Sequence, residues 1–362
     1  MGVQIALVGV SHPHGIPYLE TLQSLPEVGG LHLWDEDGAA AESARREHPQ
    51  KIVGLYKSLG ELMESHGIQA ALVALPPSGI PPVAERFLRG GKHVLVEKPG
   101  ARMAAELAPL VGLAREKRLI FSVSYPLRCN PVAVAIKEQI DKGCLGQIVS
   151  FEGRWLASQV RFRDPSLWLF KKDIAGGGIL SWLGCHWIDL LHFWLDDEVQ
   201  AVSCQAANLS GENIDVEDTI CMTLRFRGGS IGTMRLGYHL PVSRAGYVGG
   251  SYDTYLHVGG SEGFIRWIPK GELCDRYEIQ SVHPGCRAQG LSSEIIPIAE
   301  KPGYSGYEGW AFLNSFIQAV GGGAAPPADG GEAVKTLKVI NAAYLSNESG
   351  RTVLVEREVQ NR

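Results

Sequence analysis

The sequence predicts two domains, an α/β domain with a doubly wound parallel sheet and then an α+β domain with a large antiparallel sheet. The chain has 362 residues, which is long for a single hydrophobic core. Its first 125 residues alternate short apolar runs with helical patterns. After Tyr125-Pro126 the pattern changes to longer strands separated by glycine-rich turns. We therefore expect domains at residues 1–125 and 126–362.

The apolar runs of the first domain lack the alternation of a half-exposed strand, which favours parallel strands covered on both faces. Strands are expected at Val3–Val8, Val28–Trp34, Ala70–Leu75, His93–Glu97 and Leu119–Val123, with a short edge strand at Lys51–Leu55. Helices are expected between them at 15–25, 38–48, 58–66, 80–90 and 104–117. Strict alternation of strand and helix builds right-handed βαβ units, the arrangement of a Rossmann fold.

The second domain is expected to begin with a helix over 132–142, a strand at Gln147–Trp155 and, after an irregular stretch, a long apolar helix over about 179–195. Antiparallel strands are expected at Val199–Asn208, Asp218–Phe226, Ser230–Leu240, Tyr252–Val258 and Gly263–Ile268. Two helices (309–320 and 331–347) and a strand (Thr352–Glu356) close the chain. This order indicates one large antiparallel sheet with helices beside it.

Composition excludes several classes of function. The net charge of -5 argues against a protein that binds nucleic acid or a membrane surface through a basic field. Seven scattered cysteines form no C-x-x-C pair, so we expect neither a disulfide framework nor a metal site. No apolar run is long enough to cross a bilayer, and the start lacks the parts of a signal peptide. A cytoplasmic protein is the simplest expectation.

The turn after the first strand, Gly9–Gly15, has the position of a dinucleotide-binding loop. It follows a strand and opens a helix, where a pyrophosphate would lie against the helix N-terminus. Ser11 replaces the second glycine of G-x-G-x-x-G, and Gly15 comes one residue late. We expect Gly9, Ser11, His12 and Gly15 to bind the cofactor. The alternative is a tight βα turn without a ligand.

Asp35 strengthens the cofactor interpretation. It follows the second strand, twenty positions after Gly15, where an acidic side chain accepts hydrogen bonds from the ribose hydroxyls. A carboxylate there repels a 2′-phosphate, so NAD is expected rather than NADP. The alternative is a solvated loop carboxylate, because two more acidic residues follow it.

The segment Gly91–Pro99 is an apolar strand that delivers Glu97, Lys98 and Pro99 at its carboxyl end, the edge where open α/β sheets bind ligands. Here the chain resembles the glucose–fructose oxidoreductase, inositol 2-dehydrogenase and MocA family (Gfo/Idh/MocA), whose hallmark is Glu-Lys-Pro at this strand end. The resemblance implies that Lys98 lies beside the nicotinamide and the substrate, that Glu97 belongs to the cofactor site, and that the Lys98–Pro99 bond is cis.

A second motif also resembles the family. The segment Ala175–Asp189 matches Gly-Gly-Gly-x-Leu-x-Asp-x-Gly-x-His-x-x-Asp except that Trp182 replaces the first Asp. On an α-helix, positions 182, 186 and 189 share a face. The resemblance makes His186 the proton acceptor, with Asp189 binding a neighbouring hydroxyl or orienting His186. A histidine in an apolar helix is otherwise more often a core residue.

Weaker matches extend the resemblance over almost the whole chain. Leu75 and Pro76 stand where the family has Thr-Pro, which implies a place in the cofactor site. Tyr125–Pro131 resembles the family's link between domains, and 316–351 resembles its closing helix pair. The family also implies a homodimer or homotetramer formed through the outer face of the C-terminal sheet.

The implied activity is hydride transfer between NAD and a secondary alcohol of a sugar, inositol or related polyol. Two alternatives stay open. One is a non-catalytic NAD-binding sensor or regulator of the same fold, which the replacement of Asp by Trp182 favours. The other is an NAD-assisted glycosidase or lyase, in which NAD is reduced and reoxidised within one turnover.

Two polar clusters have no assigned role. A basic group before the glycine triplet could hold an acidic substrate or be a solvated loop; its members are Arg161, Arg163, Lys171 and Lys172. An aromatic stretch could line a polyol pocket or a subunit contact; its members are Tyr238, His239, Arg244, Tyr247 and Tyr252.

Overall fold

The computed structural model describes residues 2–240, 252–269, 273–286 and 290–356. The chain divides into two compact units. Unit 1 comprises residues 1–130 and 299–334, and unit 2 comprises 131–298 and 335–362. Unit 1 therefore takes in a segment, 299–334, that the sequence interpretation grouped with the second domain. The predicted domain division itself stays a prediction.

Unit 1 is built on a six-stranded parallel sheet. Its strands are β1 (Val3–Val8), β2 (Val28–Trp34), β3 (Ile52–Leu55), β4 (Ala70–Val73), β5 (His93–Val96) and β6 (Phe121–Val123). They lie in the order β3-β2-β1-β4-β5-β6, and every pair is parallel. This is the doubly wound order in which the strand sequence reverses between β1 and β4, and ligands bind at that point. The predicted parallel sheet is confirmed, including its edge strand.

The helices of unit 1 are α1 (Gly15–Ser24), α2 (Gly38–Glu47), α3 (Leu59–Glu64), α4 (Ile80–Arg89), α5 (Ala104–Lys117) and, in the returning segment, α9 (Gly306–Val320). Helices α1–α5 follow their strands and start within one residue of their predicted positions, whereas α9 starts three residues before its predicted position. Asp37 caps α2 and Ser58 caps α3 through side-chain oxygens that accept backbone N–H bonds. By contrast α1 begins at His14 without a side-chain cap. The first turns of α4, α5 and α9 also lack a side-chain cap, so α1 differs from them by following the loop Gly9–Gly15 rather than by its cap.

Unit 2 contains a nine-stranded sheet. Its strands are β7 (Ile148–Ser158), β8 (Val199–Ala207), β9 (Thr219–Phe226), β10 (Ile231–Leu240), β11 (Tyr252–Gly260), β12 (Gly263–Trp267), β13 (Cys274–Ser281), β14 (Ser292–Pro297) and β15 (Val353–Leu354). The order is β14-β13-β12-β11-β7-β10-β9-β8-β15. All pairs are antiparallel except β7 with β10. The large antiparallel sheet is confirmed.

Two strands of this sheet were not predicted. Along β13 the inward positions Asp275 and Ser281 are polar, so apolar alternation is confined to Tyr277 and Ile279. Asp275 is buried because it accepts a hydrogen bond from the Trp267 indole at 3.1 Å. The edge strand β14 is largely exposed. Strand prediction from hydrophobic alternation misses both kinds of strand.

The helices of unit 2 include the predicted apolar helix, which begins with a π-helical turn. They are α6 (Pro131–Asp141), α7 (Lys172–Ala175) and α8 (Cys185–Leu195), and α10 (Gly330–Ser349) closes the chain. The long apolar helix predicted over about 179–195 forms, but its first part, Leu180–Gly184, is a π-helical turn that leads into α8. The helical stretch Lys172–Leu195 is long and apolar enough to cross a membrane, but 89% of its most apolar part is buried. Its composition follows from its place in the core.

Candidate active site

The loop Gly9–Gly15 is a tight turn at the carboxyl edge of the parallel sheet. Gly9 has φ +93°, in the left-handed region that favours glycine. A Cβ at Gly9 would overlap the carbonyl oxygen of Ala74, and one at Gly15 would overlap the carbonyl of Val10. Both glycines therefore allow the loop to fold against β4 and α1. Leu75, which was predicted to belong to the cofactor site, lies directly beside Gly9.

Ser11, which stands where a second glycine was expected, is explained by Asp35. The Ser11 N–H donates to Asp35 Oδ2 at 2.7 Å, and the Ser11 hydroxyl donates to Oδ1 at 2.9 Å. The Asp37 N–H donates to the same Oδ1 at 2.8 Å. Asp35 is 6% exposed. The structure thus brings the predicted loop residue and the predicted ribose ligand together, and it fixes the carboxylate in place.

At the end of β5, Glu97 and Lys98 are both buried and lie in one polar cluster. The Tyr18 hydroxyl donates to Glu97 Oε2. His14 Nδ1 lies 3.1 Å from Glu97 Oε1, and Lys98 Nζ lies 3.7 Å from the same oxygen. The Lys98–Pro99 peptide bond is cis, as predicted. We call these four residues, His14, Tyr18, Glu97 and Lys98, the lysine cluster.

Electrostatics within the lysine cluster favour the Glu97 carboxylate. Burial by itself would raise its pKa, but the charge and hydrogen bond of His14, followed by the charge of Lys98, lower that pKa to about 2. Burial and the adjacent Glu97 raise the pKa of Tyr18 well above its usual value, so the phenol keeps its proton. Burial lowers the pKa of His12 to about 3, which keeps that imidazole neutral near pH 7.

Tyr304, from the returning segment of unit 1, covers the lysine cluster. Its ring lies 4.2 Å from the Tyr18 ring and 4.8 Å from the His14 ring, measured between centroids. Its backbone N–H donates to the Pro17 carbonyl and to the Thr21 hydroxyl at 3.0 and 2.8 Å. No motif surrounds Tyr304 or Tyr18 in the sequence, so motif analysis had no signal for either.

In unit 2, the glycine triplet is required by close packing. Gly176 ends α7 with φ +80°. A Cβ at Gly177 would overlap the Tyr344 hydroxyl, and one at Gly178 would overlap the backbone of Glu217. The triplet therefore lets the chain pass between β9 and α10 before it enters the π-helical turn.

His186 and Asp189 lie on α8, and Trp182 lies on the π-helical turn before it. All three are buried. The Trp182 ring packs edge-on against Trp168 at 5.7 Å, whereas the His186 ring lies 6.0 Å from Trp155. The shared face predicted for these positions assumed the angular spacing of a regular α-helix, and the π turn, which has more residues per turn, changes that spacing between 182 and 186.

The aromatic ring beside His186, that of Trp155, is itself packed among other aromatic rings. Trp155 on β7 also contacts Trp187 at 4.6 Å and Tyr252 at 5.6 Å. Sequence analysis had listed Tyr252 without a role and had not singled out Trp155. The signal was there in a weak form, since an aromatic residue near the end of an inward-facing strand is well placed to line a site.

Of the two clusters left open, the basic one is partly explained. The Arg163 guanidinium donates to the Ser158 hydroxyl at 2.7 Å and lies over the Tyr238 ring at 5.1 Å. Lys172 pairs with Glu348 at 3.8 Å on the surface. In the aromatic stretch, Arg244 and Tyr247 fall outside the described residues, so this part of the prediction stays open.

Comparison with family models gives two matches. Residues 3–125 match the oxidoreductase family with an NAD-binding Rossmann fold. Residues 133–266 match the Gfo/Idh/MocA C-terminal domain. The two matched segments contain every predicted catalytic residue, Lys98 in the first and His186 and Asp189 in the second.

Curated relatives include dehydrogenases and reductases of sugars and polyols. Levoglucosan dehydrogenase of Pseudarthrobacter phenanthrenivorans is 26% identical over 248 residues, which cover 62% of this chain and 61% of that protein. The scyllo-inositol 2-dehydrogenase (NADP(+)) of Bacillus subtilis is 25% identical over 325 residues, 87% of this chain and 86% of that protein. The first match thus spans less than two thirds of its relative.

Solved structures share the fold at low identity. An oxidoreductase domain protein from Kribbella flavida superposes with a TM-score of 0.86 at 19% identity, covering 99% of this chain and 100% of that one. Levoglucosan dehydrogenase in complex with NADH and levoglucosan gives 0.84 at 18% identity, with 99% and 100% coverage. At this identity the likeness shows the fold.

Proposed function

The chain belongs to the Gfo/Idh/MocA oxidoreductase family, and from this premise we propose that it is an NAD-dependent dehydrogenase of a sugar, inositol or related polyol. The observation that carries the proposal is the lysine cluster, in which a buried ammonium and a buried carboxylate meet at the carboxyl end of β5. A buried ion pair is costly to form, and one at the ligand-binding edge of a parallel sheet is a candidate functional site.

The cofactor fits the residues at the edge of the parallel sheet. The loop with Gly9, Ser11, His12 and Gly15 would hold the pyrophosphate against the uncapped start of α1. Asp35 would accept the ribose hydroxyls, and its negative charge would exclude a 2′-phosphate, which favours NAD over NADP. When bound, the nicotinamide supplies the hydride acceptor.

Lys98 would stabilise the alkoxide that develops as the substrate hydroxyl loses its proton. Glu97 holds the ammonium from one side, and it is in turn held by His14 and Tyr18. The lysine therefore has little freedom to turn away. A charge that is already oriented does not have to reorganise during the reaction.

His186 would accept the hydroxyl proton, since an imidazole titrates near neutral pH, and Asp189 would orient it or bind a neighbouring hydroxyl. Trp182 cannot accept a proton, so it takes no part in proton transfer. The Trp155 ring beside His186, with Tyr252 packed against Trp155, would offer an apolar surface for the carbon face of a sugar ring.

The test is a panel of polyols, inositols and aldoses offered with NAD to the purified protein, followed through the absorbance of NADH. Turnover with a polyol or aldose supports the proposal. Product without net NADH would favour an NAD-assisted glycosidase or lyase. Tight NAD binding in calorimetry with no turnover on any member of the panel would overturn the dehydrogenase proposal.

One observation favours a second candidate, a non-catalytic NAD-binding sensor. Trp182 stands where the family has Asp, and it is buried against Trp168. The sensor proposal predicts that NAD changes the oligomeric state or partner binding without any chemistry. The same calorimetry and turnover experiment separates the two candidates.

The proposal includes a two-domain division at 125/126, a cytoplasmic location and a homodimer or homotetramer. The assembly follows from the family resemblance and would use the outer face of the nine-stranded sheet, whose side chains include Arg154, Cys221 and Arg235. Light scattering on the wild type and on Arg235→Glu measures the state directly.

A further inference from the structure

We infer that Glu217 is a positioning residue, which fixes the start of the helix carrying His186 and so sets where that imidazole lies. The inference rests on the proposed function, in which His186 is the base. Glu217 precedes β9, is buried, and lies 31 residues along the chain from His186. Neither the sequence motifs nor the proposed chemistry uses it.

Glu217 binds three consecutive backbone N–H groups where the helical stretch begins. Its carboxylate accepts from Gly178 at 2.8 Å and from Leu180 at 3.0 Å, and its own carbonyl accepts from Ile179 at 3.3 Å. The first N–H groups of a helix have no acceptor within the helix, and here a single residue, Glu217, provides the acceptors for three of them. A buried carboxylate at this end also complements the helix dipole.

The contact is transmitted to His186 through the π-helical turn. The Leu180 N–H is held by Glu217, and the Leu180 carbonyl accepts from the N–H of Cys185, the residue directly before His186. Leu180 is thus bound to Glu217 through its N–H and to Cys185, the neighbour of His186, through its carbonyl. A shift of Leu180 is expected to move His186 with it.

Tyr344 on α10 completes the arrangement. Its hydroxyl donates to Glu217 Oε1 at 2.9 Å, and the Ser181 hydroxyl lies 3.2 Å from it. Burial and the neighbouring Glu217 raise the pKa of Tyr344 well above its usual value, so it remains a donor. Gly177 leaves the space that this hydroxyl occupies. The glycine triplet therefore leaves the space in which Glu217 and Tyr344 hold the start of the helix.

Glu217→Gln tests the inference, because it keeps the size of the side chain but turns one of its two acceptors into a donor facing a backbone N–H. Since displacement of a catalytic group by about 1 Å costs up to about 10²-fold, kcat should fall at least about tenfold. NAD affinity in calorimetry should stay within about twofold, since the NAD-binding residues lie in unit 1. Glu348→Gln, an exposed glutamate on the helix of Tyr344, is the matched control and should behave as wild type.

A second readout does not depend on turnover. The imidazole signals of His186 in NMR, assigned by comparison with His186→Gln, should shift in Glu217→Gln and stay in place in Glu348→Gln. If Glu217→Gln does not fold, Tyr344→Phe carries the test, because it removes one donor and keeps both backbone bonds. It should lower kcat by about twofold to fivefold and move the same signals.

Unchanged kcat together with unchanged His186 signals in the folded variant overturns the inference. If the wild type turns over no substrate, the proposed function fails. The NMR comparison then still decides whether Glu217 sets the position of His186.

Discussion

Two glutamates, one in each compact unit, are buried and fully engaged in hydrogen bonds, yet their pKa values move in opposite directions. Burial raises the pKa of both. At Glu97 the charge and hydrogen bond of His14, followed by the charge of Lys98, outweigh burial, and the pKa falls to about 2. At Glu217 the donors are two backbone N–H groups and a phenol, all neutral, and burial leaves the pKa raised.

Formal positive charge nearby, rather than the number of hydrogen bonds, thus decides the direction in which the pKa of these two buried carboxyl groups shifts. The lysine cluster of unit 1 is built to hold charges, as expected where an alkoxide must be stabilised. The surroundings of Glu217 are built to hold a backbone in place. The predictions below test this contrast, from the largest expected effect to the smallest.

The largest effect is expected at the two groups proposed to act on the substrate. Lys98→Ala and His186→Ala should each lower turnover by at least about 10²-fold, since loss of a general base or of an electrostatic partner typically costs that much. NAD affinity should change far less. Lys117→Ala and His66→Ala, both exposed, are controls. Wild-type turnover in both active-site variants would show that the proposed chemistry is wrong.

Removal of the Glu97 charge should change acid stability. Its folded pKa lies below the ordinary value of 4.5, so its contribution is complete above pH 4.5 and is lost as the pH falls towards 2. At pH 7, Glu97→Gln should lose on the order of 3 kcal/mol of the free energy of unfolding. Urea titrations from pH 2.5 to 7 measure this, and Glu85→Gln on the surface is the control. Equal pH slopes in variant and wild type would contradict it.

Asp35 extends the comparison of buried carboxyl groups to the proposed cofactor site. Like Glu217 and unlike Glu97, it accepts hydrogen bonds from neutral donors, which belong to Ser11 and Asp37. We expect wild-type protein to bind NAD at least about tenfold more tightly than NADP, a difference of about 1.4 kcal/mol. Asp35→Ser should narrow that gap, since it removes the charge that repels the 2′-phosphate. Calorimetry with both cofactors measures it. Equal affinities in the wild type would remove the role given to Asp35.

The smallest effect is expected from Glu217, and its sign is opposite to that of Glu97. Because the folded pKa is raised, the contribution of Glu217 to stability is complete below pH 4.5 and decreases as the pH rises through the folded value. Glu217→Gln should flatten this part of the stability profile. Thermal unfolding between pH 4 and 8 measures it, with Glu348→Gln as reference. A profile as steep as that of the wild type would contradict the assignment.

Much of the fold was predictable because the evidence for it is local. Apolar runs without alternation marked the parallel strands, and Gly9 and Gly15 marked the turn that binds against β4. The prediction failed where the inward face of a strand is polar, as at Asp275, and at the π-helical turn before His186. Residues 179–192 are all buried, so the segment has no polar face whose spacing could reveal a π turn.

The sequence by itself determined which elements form, their order, and which motif residues stand at the strand and helix ends. Only the tertiary structure decided what those residues contact. Glu97 meets Tyr18 and His14, some 80 positions away, and Glu217 meets Gly178 and Tyr344 from both directions along the chain. Hydrophobic periodicity depends only on residues that are close together along the chain, so it predicts local structure. Charge state and side-chain position depend instead on neighbours in space, which packing alone brings together.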